Sequence, residues 1–427
     1  MRDKDNDVTP FLRRTLDVRL ARLHPSMPTS YQQQHRAGDL HFLKRLNRSA
    51  ILEQIRRAPG LTRADIATQA LLTKATVGAG VQSLLKQGWL REGELQKSNG
   101  GRPGRSLYLN DQHYAMLGAE VGVHGLRLVA CTLSGELLAS HHEHLVPTTP
   151  EVTAALLAES LQTLMASPAF AGRHCLGLGI ALPGPIDPAT PVLRRAPNLG
   201  WSDIRFLDLL SPHLPQMTGV WIMDNEAKSA AFGELYFRTG QIPDSLVYVS
   251  AGTGIGSGMV EGSHPPLISR GLQGLAGEIG HTILQPGGLY CHCGNRGCAE
   301  TLVSGWSIRA ALGIAEEENL IEAILPRLHE EQVQLTLRRA GEALGTLLLN
   351  LHHTQNPSEI VLGGSLVQLG APLLDPTLAF FKAHQNRLLG TQRQVPLRVI
   401  EDSTFIAARG AAAQVLASVI HGPSDLI

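Results

Sequence analysis

Apolar side chains recur at helical spacing near the start of the chain. Six of them indicate a first helix: Phe42, Leu43, Leu46, Ile51, Leu52 and Ile55. Thr62 predicts the capped start of a short second helix, and Thr73 predicts the start of a third. Two strands follow at about 89–95 and 106–109, joined by a basic, glycine-rich tip. This order of elements predicts a winged helix-turn-helix over residues 39–110.

A helix pair followed by a hairpin also occurs as a plain packing unit, and charge helps to separate the two interpretations. Residues 1–110 carry 19 Lys and Arg against 9 Asp and Glu, although the whole chain has a net charge of zero. A basic module of this kind can neutralise the phosphates of a nucleic acid. A basic disordered tail with a solvated helix face would give the same count. The basic wing tip and the Lys/Thr-rich start of the third helix favour DNA binding.

Helix-turn-helix proteins place the first residues of their second helix against base edges in the major groove. The expected partner is therefore double-stranded operator DNA. The predicted contacts lie at the start of the third helix and on the wing: Thr73, Lys74, Ala75, Thr76, Arg102 and Arg105. Gly78 and Gly80 inside this helix each cost roughly 1 kcal/mol relative to alanine, which suggests close backbone approach or a compliant helix.

Residues 1–38 are polar, basic and punctuated by prolines, so we expect a largely disordered tail. No apolar run approaches the roughly 20 residues that a membrane span needs, and the first 30 residues lack the apolar stretch of a signal peptide. We therefore expect a cytoplasmic protein without a membrane partner.

From residue 111 the pattern changes to strands rich in glycine, valine and leucine, which alternate with alanine-rich helices. Such alternation predicts α/β layers. The same strand-turn-strand opening occurs at about residues 116 and 246. Residues 111–427 are therefore expected to form two related lobes that enclose a cleft.

Seven motifs in this region resemble, in order and spacing, the ROK family of sugar kinases and sugar-responsive repressors. They are GLGIALPGPID, APNLGW, DNEAKSAAFGE, VSAGTGIGSG, GLAGEIGH, CHCGNRGCAE and NPSEIVLGG. The resemblance covers about residues 113–420. It implies the actin-like, hexokinase-like ATPase fold, in which two α/β lobes close on a sugar. With a winged helix in front, the chain resembles the repressor branch of the family, which includes xylose and N-acetylglucosamine repressors.

Three of the five cysteines lie within eight positions, at Cys291, Cys293 and Cys298. The odd total argues against a disulfide framework, and the close spacing with intervening glycines favours a metal over free thiols. The resemblance implies that His281 completes the ligands of one structural Zn²⁺ per subunit, a set suited to a closed tetrahedral site. His292, between two of the cysteines, could compete with His281.

The resemblance also implies a sugar site beside the metal. A ring with several hydroxyl groups is held by donors and acceptors at fixed angles, and such sites reject analogues that lack a hydroxyl. The family's sugar-contacting positions correspond here to Asn198, Asn225, Glu226, Glu278, His281 and Glu300. The expected effector is a monosaccharide.

Two motifs depart from the kinases of the family. The kinases carry Asn-Asp with the aspartate as general base, whereas this chain has Asn225-Glu226, whose extra methylene moves the carboxylate by about 1 Å. The first phosphate loop, Asp-x-Gly-Gly-Thr in the kinases, runs here from Glu120 to His124, and its bulky side chains would crowd a phosphate. The second phosphate loop, residues 252–256, is intact. We expect that catalysis is lost and that Glu226 marks a vestigial base position.

Two hypotheses about function follow. The preferred one is a transcriptional repressor of carbohydrate uptake or catabolism genes that a monosaccharide releases from its operator. Two winged helices would read a palindrome, so a homodimer or a dimer of dimers is expected. The alternative is an active ATP-dependent sugar kinase that also binds DNA.

Overall fold

The computed structural model describes residues 40–96, 103–145, 148–263, 265–388, 390 and 394–422. The expected tail, residues 1–38, and the predicted DNA contact Arg102 lie outside these ranges. Within them, no helix combines the length and the apolar character needed to cross a membrane.

The N-terminal elements form the predicted winged helix-turn-helix. They are α1 (Leu40–Arg57), α2 (Arg63–Gln69), α3 (Lys74–Lys86), β1 (Leu90–Gln96) and β2 (Gly104–Leu109). Thr62 and Asp65 form a capping box at the start of α2, and the Thr73 hydroxyl caps α3. β1 and β2 pair antiparallel as the wing. Val77, Val81 and Leu84 turn the apolar face of α3 inward and are fully buried.

The first half of α1 differs from the predicted apolar face. Phe42, Leu43 and Leu46 are 37%, 51% and 48% exposed, whereas Ile51 and Ile55 are completely buried. α1 is 18 residues long, and only its C-terminal half contributes side chains to the core. Helical spacing predicts which side of a helix is apolar, but not how much of its length is covered.

The first lobe is built on a five-stranded sheet in the order β10-β6-β3-β4-β5. Its strands are β3 (Tyr114–Gly122), β4 (Gly125–Cys131), β5 (Leu137–His144), β6 (His174–Leu182) and β10 (Val220–Asn225). One face is covered by α4 (Pro150–Met165) and α5 (Phe206–Leu210). A small antiparallel sheet follows β6, made of β7 (Ile186–Asp187), β8 (Val192–Ala196) and β9 (Trp201–Ile204).

The second lobe repeats this opening. Its sheet has the order β13-β12-β11-β14-β15, formed by β11 (Ser245–Ala251), β12 (Ile255–Glu261), β13 (Leu267–Ile268), β14 (Glu359–Gly363) and β15 (Leu397–Val399). In both lobes an antiparallel hairpin is followed by a parallel neighbour, which confirms the two related halves. The other helices of this lobe are α7 (Glu300–Val303), α8 (Gly305–Leu312), α9 (Leu320–Ile324), α10 (Glu331–Gln355) and α11 (Ala371–His384).

Two helices lie between the sheets. α6 (Glu226–Tyr236) packs on β11 and β12, and α12 (Ile406–His421) packs on β3, β6 and β10. They meet at glycines, since a Cβ on Gly233 would lie only 2.6 Å from the Cα of Gly410. Alanines fill most of the remaining contact. The C-terminal half of α1 packs against α12, so the winged helix rests directly on this central pair.

Candidate functional site

The start of α3 presents the predicted DNA-contacting residues on an exposed surface. Thr73, Lys74 and Ala75 are exposed, and Thr76 is half-buried. The Thr73 hydroxyl accepts a hydrogen bond from the Thr76 backbone N–H at 3.1 Å, and the two threonine hydroxyls lie 2.9 Å apart. The first turn of α3 is therefore open to solvent at Thr73, Lys74 and Ala75.

Arg105 lies on β2 of the wing and already has protein partners. Its Nε is 3.5 Å from a carboxylate oxygen of Glu92, and its Nη1 donates to the Gly93 carbonyl at 3.4 Å. The side chain is nevertheless 52% exposed. An exposed ion pair of this kind contributes little to stability, so the guanidinium can exchange Glu92 for a phosphate at small cost.

The two glycines inside α3 have different surroundings. A Cβ on Gly80 would lie 2.5 Å from the end of the Ile51 side chain, so this glycine permits close approach of α1. Around Gly78, nothing lies within 4 Å of the corresponding position. No packing contact in the described part of the chain therefore explains why residue 78 is a glycine.

Replacing Gly78 with alanine is expected to raise the free energy of unfolding by about 0.5–1 kcal/mol, because alanine is the better helix former. Urea denaturation would measure the change. Gly88→Ala provides the contrast: Gly88 has φ +80°, and a Cβ there would strike the His113 ring, so this variant should be less stable than the wild type. Destabilisation by Gly78→Ala would contradict the prediction.

Four potential metal ligands converge in the second lobe, in the segment between β13 and α7. Nδ1 or Nε2 of His281 and the sulfur atoms of Cys291, Cys293 and Cys298 all lie within 4.8 Å of one another. Cys291 Sγ is 3.7 Å from His281 Nδ1, and Cys293 Sγ is 3.7 Å from Cys298 Sγ. A tetrahedron with metal–sulfur bonds of about 2.3 Å has edges of about 3.8 Å, so the donor set fits a tetrahedral zinc ion.

The surroundings of the cluster separate the two candidate histidines. The His292 ring stacks on Trp306 at a centroid distance of 4.5 Å and is not among the converging ligands. Burial raises the pKa of Cys298 to about 12, and the neighbouring Cys293 and Cys291 act in the same direction. A bound cation would reverse this preference, because metals bind the thiolate form.

Asn225 and Glu226 lie where β10 passes into α6. The Asn225 side chain caps α6, accepting from the backbone N–H groups of Ala227 and Lys228 at 3.0 and 3.2 Å. Its amide donates to a Glu226 carboxylate oxygen at 2.9 Å and to the Gly184 carbonyl at 3.1 Å. The cap therefore fixes both predicted sugar-contacting residues to the N-terminus of the central helix.

Glu300 and Asn198 meet over the second phosphate loop. A Cβ on Gly254 would lie 2.6 Å from Glu300 Oε1, so the glycine leaves room for this carboxylate; Asn198 Nδ2 would be in ordinary contact at 3.7 Å. Glu300 Oε1 accepts from the Ile255 backbone N–H at 2.8 Å, and its other oxygen is 4.0 Å from His281 Nδ1. The metal cluster is thus directly adjacent to the carboxylate.

Charge at this site is concentrated and partly buried. Burial raises the pKa of Glu226 to about 8, and the carboxylates of Glu278 and Glu120 act in the same direction. Burial also raises the pKa of Glu278. Lys228, one turn into α6, opposes both shifts. The structure therefore places the six predicted sugar-contacting positions close together, and the buried carboxyl groups of Glu226 and Glu278 disfavour their charged forms.

Lys228 is a site residue that the sequence reasoning missed. Its side chain is only 1% exposed, and its ammonium group donates to the Gly274 carbonyl at 2.9 Å. The loop that carries Gly274 also supplies Arg270, which pairs with Asp224 of β10 at 2.8 Å. The sequence offered one indication of this role, since Lys228 lies among the alanines of a helix expected to be buried. A buried lysine requires polar partners, so its position could have marked it as a site residue.

The two loops that correspond to phosphate loops contact each other. His124 Nε2 lies 3.2 Å from the Thr253 hydroxyl, so a side chain of the first loop reaches the second. Glu120 is paired with Arg127 at 2.9 Å. In this arrangement the imidazole lies between the loops, and the carboxylate is ion-paired with an arginine.

Comparisons with known proteins agree with this architecture. The ROK family profile matches residues 116–418, and the MarR family profile matches residues 43–97. The xylose repressor of Bacillus subtilis (strain 168) is 30% identical over 333 residues, which cover 78% of this chain and 85% of that protein. The DNA-binding transcriptional dual regulator NagC of Escherichia coli (strain K12) is 25% identical over 357 residues, covering 80% and 86%.

A crystal structure of a ROK family transcriptional regulator, a homolog of the E. coli MLC protein, has the same fold. It superposes with a TM-score of 0.70 at 20% identity, covering 88% of this chain and 98% of its own. The actin-like fold with a preceding winged helix is thereby confirmed. With a family match that spans both lobes, the chain belongs to the ROK family.

Proposed function

We propose that this protein is a sugar-responsive, DNA-binding transcriptional repressor. The observation that carries the proposal is the direct packing of a winged helix, with an exposed Lys/Thr-rich helix start, on a two-lobed ROK domain. Relatives named as xylose and N-acetylglucosamine repressors align over most of the chain, which supports the same role here. The targets would be genes of carbohydrate uptake or catabolism.

The effector would be a monosaccharide held in the cleft by Asn198, Asn225, Glu226, Glu278, His281 and Glu300. The neutral form of Glu226 can donate a hydrogen bond, and the Glu300 carboxylate can accept one, so the cleft offers both partners that a sugar hydroxyl needs. A zinc ion held by His281, Cys291, Cys293 and Cys298 would stabilise the loops that carry these residues. Each subunit would hold one such ion. The protein would bind a palindromic operator as a homodimer or a dimer of dimers.

The kinase alternative is less well supported. The xylose repressor and NagC, which align over 78% and 80% of this chain, are regulators. The His124–Thr253 contact lies between the loops that would hold a nucleotide's phosphates. Incubation of the purified protein with ATP, Mg²⁺ and a panel of aldoses tests it directly. Sugar phosphate formed at an ordinary turnover of about 1 per second or more would overturn the non-enzymatic part of the proposal.

Two measurements test the regulatory function. A thermal-shift screen with D-xylose, D-glucose and N-acetyl-D-glucosamine should identify a ligand, since saturation at about 100 times the dissociation constant adds about 2.7 kcal/mol to stability. That sugar should then release the protein from a duplex selected from random sequence by the purified full-length chain. A protein that selects no duplex, or whose DNA affinity no monosaccharide changes, would refute the proposal.

Lys74→Ala is expected to weaken operator binding by roughly 5- to 100-fold and to reduce the slope of log affinity against log salt by about 1. Lys74 is exposed at the first turn of α3, where its ammonium can reach phosphate or a base edge. Fluorescence anisotropy at several salt concentrations would measure both effects. Lys86→Ala, exposed at the other end of α3, is the matched control and should change the affinity little.

A further inference from the structure

A buried polar cluster joins the winged helix to the ends of α6 and α12. The Arg56 guanidinium lies 3.8 Å from the ring centroid of Tyr236 and forms two hydrogen bonds, of 2.5 and 3.1 Å, with the Glu53 carboxylate. His421 Nε2 is 3.5 Å from Glu53, and His421 Nδ1 is 3.0 Å from the Ser49 hydroxyl. We name these five residues the junction cluster.

The junction cluster is unusually deep for a group of charged residues. Glu53 and Arg56 are only 4% and 5% exposed, and Tyr236 is completely buried. Burial opposes the charge on Glu53, but hydrogen bonds from His421 and Arg56 outweigh it and hold the pKa of that carboxyl below its ordinary value. A buried ion pair of this type is often no more stabilising than apolar side chains of similar volume, so stability alone does not explain it.

The cluster is also incompletely satisfied. Neither Nη1 of Arg56 nor the hydroxyl of Tyr236 has a hydrogen-bond partner among the described residues, although both atoms are buried. Unpaired buried polar atoms are costly, and a second arrangement of the same residues could pair them. Such a group can favour one of two orientations of the winged helix, as a coupling element requires.

α6 connects this cluster to the candidate sugar site. The helix begins at Glu226, under the Asn225 cap, and ends at Tyr236, eleven residues or about 16 Å away. It cannot slide independently of α12, because Gly233 packs on Gly410 and the Gln414 side chain donates to the Ser229 hydroxyl at 3.1 Å. A shift of Asn225 or Glu226 on sugar binding would therefore reach the ring on which Arg56 is stacked.

We propose that Arg56 is a positioning residue that couples the sugar site to the DNA-binding domain, through its stacking on Tyr236 at the far end of α6 and its ion pair with Glu53. The inference rests on the proposed function and adds the route by which the sugar acts. Arg56 contacts neither sugar nor DNA. Its effect is confined to the ratio of operator affinities without and with sugar.

The test uses the full-length double variant Glu53→Gln/Arg56→Met, which removes both charges together and so leaves neither buried ion unpaired. The matched control is Arg327→Met/Glu330→Gln, an ion pair with the same three-residue spacing on the exposed surface. For each protein we would measure operator affinity without and with the sugar identified by thermal shift, and sugar affinity without DNA. Circular dichroism would establish that each variant is folded.

In the wild type and the control, sugar should weaken operator binding by about 5- to 150-fold, the ordinary range of allosteric coupling. In the double variant this ratio should fall to about threefold or less, while sugar affinity without DNA stays within about threefold of the wild type. An unchanged ratio would overturn the inference. This includes the case in which the double variant binds the operator more weakly by the same factor with and without sugar, since that is the result of a purely structural contact.

Two further outcomes are distinguishable. If the wild type itself does not respond to any sugar, the proposed function fails and the inference fails with it. If the wild type responds and the double variant keeps the full response, the inference fails alone. Should the double variant not fold, Tyr236→Leu removes the stacking partner from the other side of the junction. The same fall in the ratio is expected for it, and an unchanged ratio would be decisive against the role of Arg56.

Discussion

Cys293→Ser is expected to reduce bound zinc from about one ion per chain to nearly none, because a serine hydroxyl is a poor replacement for one of three thiolates. The loops around the cluster carry His281 and Glu300, whose side chains are 4.0 Å apart. Loss of the metal should therefore lower the melting temperature by roughly 5–10 °C and weaken sugar binding by about tenfold or more. Metal analysis by mass spectrometry, thermal unfolding and calorimetric sugar titration would measure these effects.

Cys175→Ser is the control for the zinc prediction. Cys175 is a free cysteine of β6 and lies outside the metal cluster. The strand β6 contains no predicted metal ligand. This variant should keep its zinc and its sugar affinity. The metal proposal would be wrong if purified wild-type protein contained no zinc, or if Cys293→Ser retained as much zinc as Cys175→Ser.

Glu226→Gln is expected to remove most of a stability loss that the wild type shows as the pH rises. The pKa of Glu226 is raised from about 4.5 to about 8 by burial and by nearby carboxylates, so the folded protein disfavours the charged form. The contribution of Glu226 to the free energy of unfolding is fully present below about pH 4.5. It is lost progressively up to about pH 8, because over this range Glu226 ionises in the unfolded chain but not in the folded protein. A tenfold change in proton affinity corresponds to about 1.4 kcal/mol, and the partial exposure of Glu226 reduces the effect. We therefore expect the wild type to lose roughly 2–3 kcal/mol of its free energy of unfolding through this group.

Urea denaturation of the wild type and Glu226→Gln between about pH 5 and pH 9 would measure this difference. The variant should gain stability relative to the wild type across this interval. Glu136→Gln removes an exposed carboxylate of the first lobe and should follow the wild-type curve. Parallel curves for Glu226→Gln and the wild type would show that Glu226 ionises as freely in the folded protein as in the unfolded chain.

Short-range patterns in the sequence predicted a large part of this structure. The helix starts at Thr62 and Thr73 follow from local hydrogen bonding, which acts over three residues and is visible in sequence. The spacing of Cys291, Cys293 and Cys298 is also local, and the resemblance to the ROK family supplied His281. The convergence of these four residues within 4.8 Å agrees with the predicted ligand set, while metal binding itself stays a prediction.

Long-range contacts account for what could not be predicted. Lys228 is buried because a carbonyl 46 residues away, at Gly274, accepts its hydrogen bond. Arg56 looks like an ordinary solvated arginine in the first helix, and the ring that covers it belongs to Tyr236, far along the chain. Neither contact has a periodic pattern, so only the folded arrangement of the lobes reveals them.

The packing of the winged helix on Tyr236 and His421 limits how this protein can acquire a new operator. A chimaera made by joining another protein's winged helix at residue 110 would place unmatched side chains over a buried tyrosine, and only a donor that carries an equivalent ion pair would keep its sugar response. Substitutions at Thr73, Lys74 and Ala75, which lie on the exposed start of α3, leave that junction untouched. Such regulators should therefore acquire new operators more readily by single substitutions in α3 than by exchange of the whole winged helix.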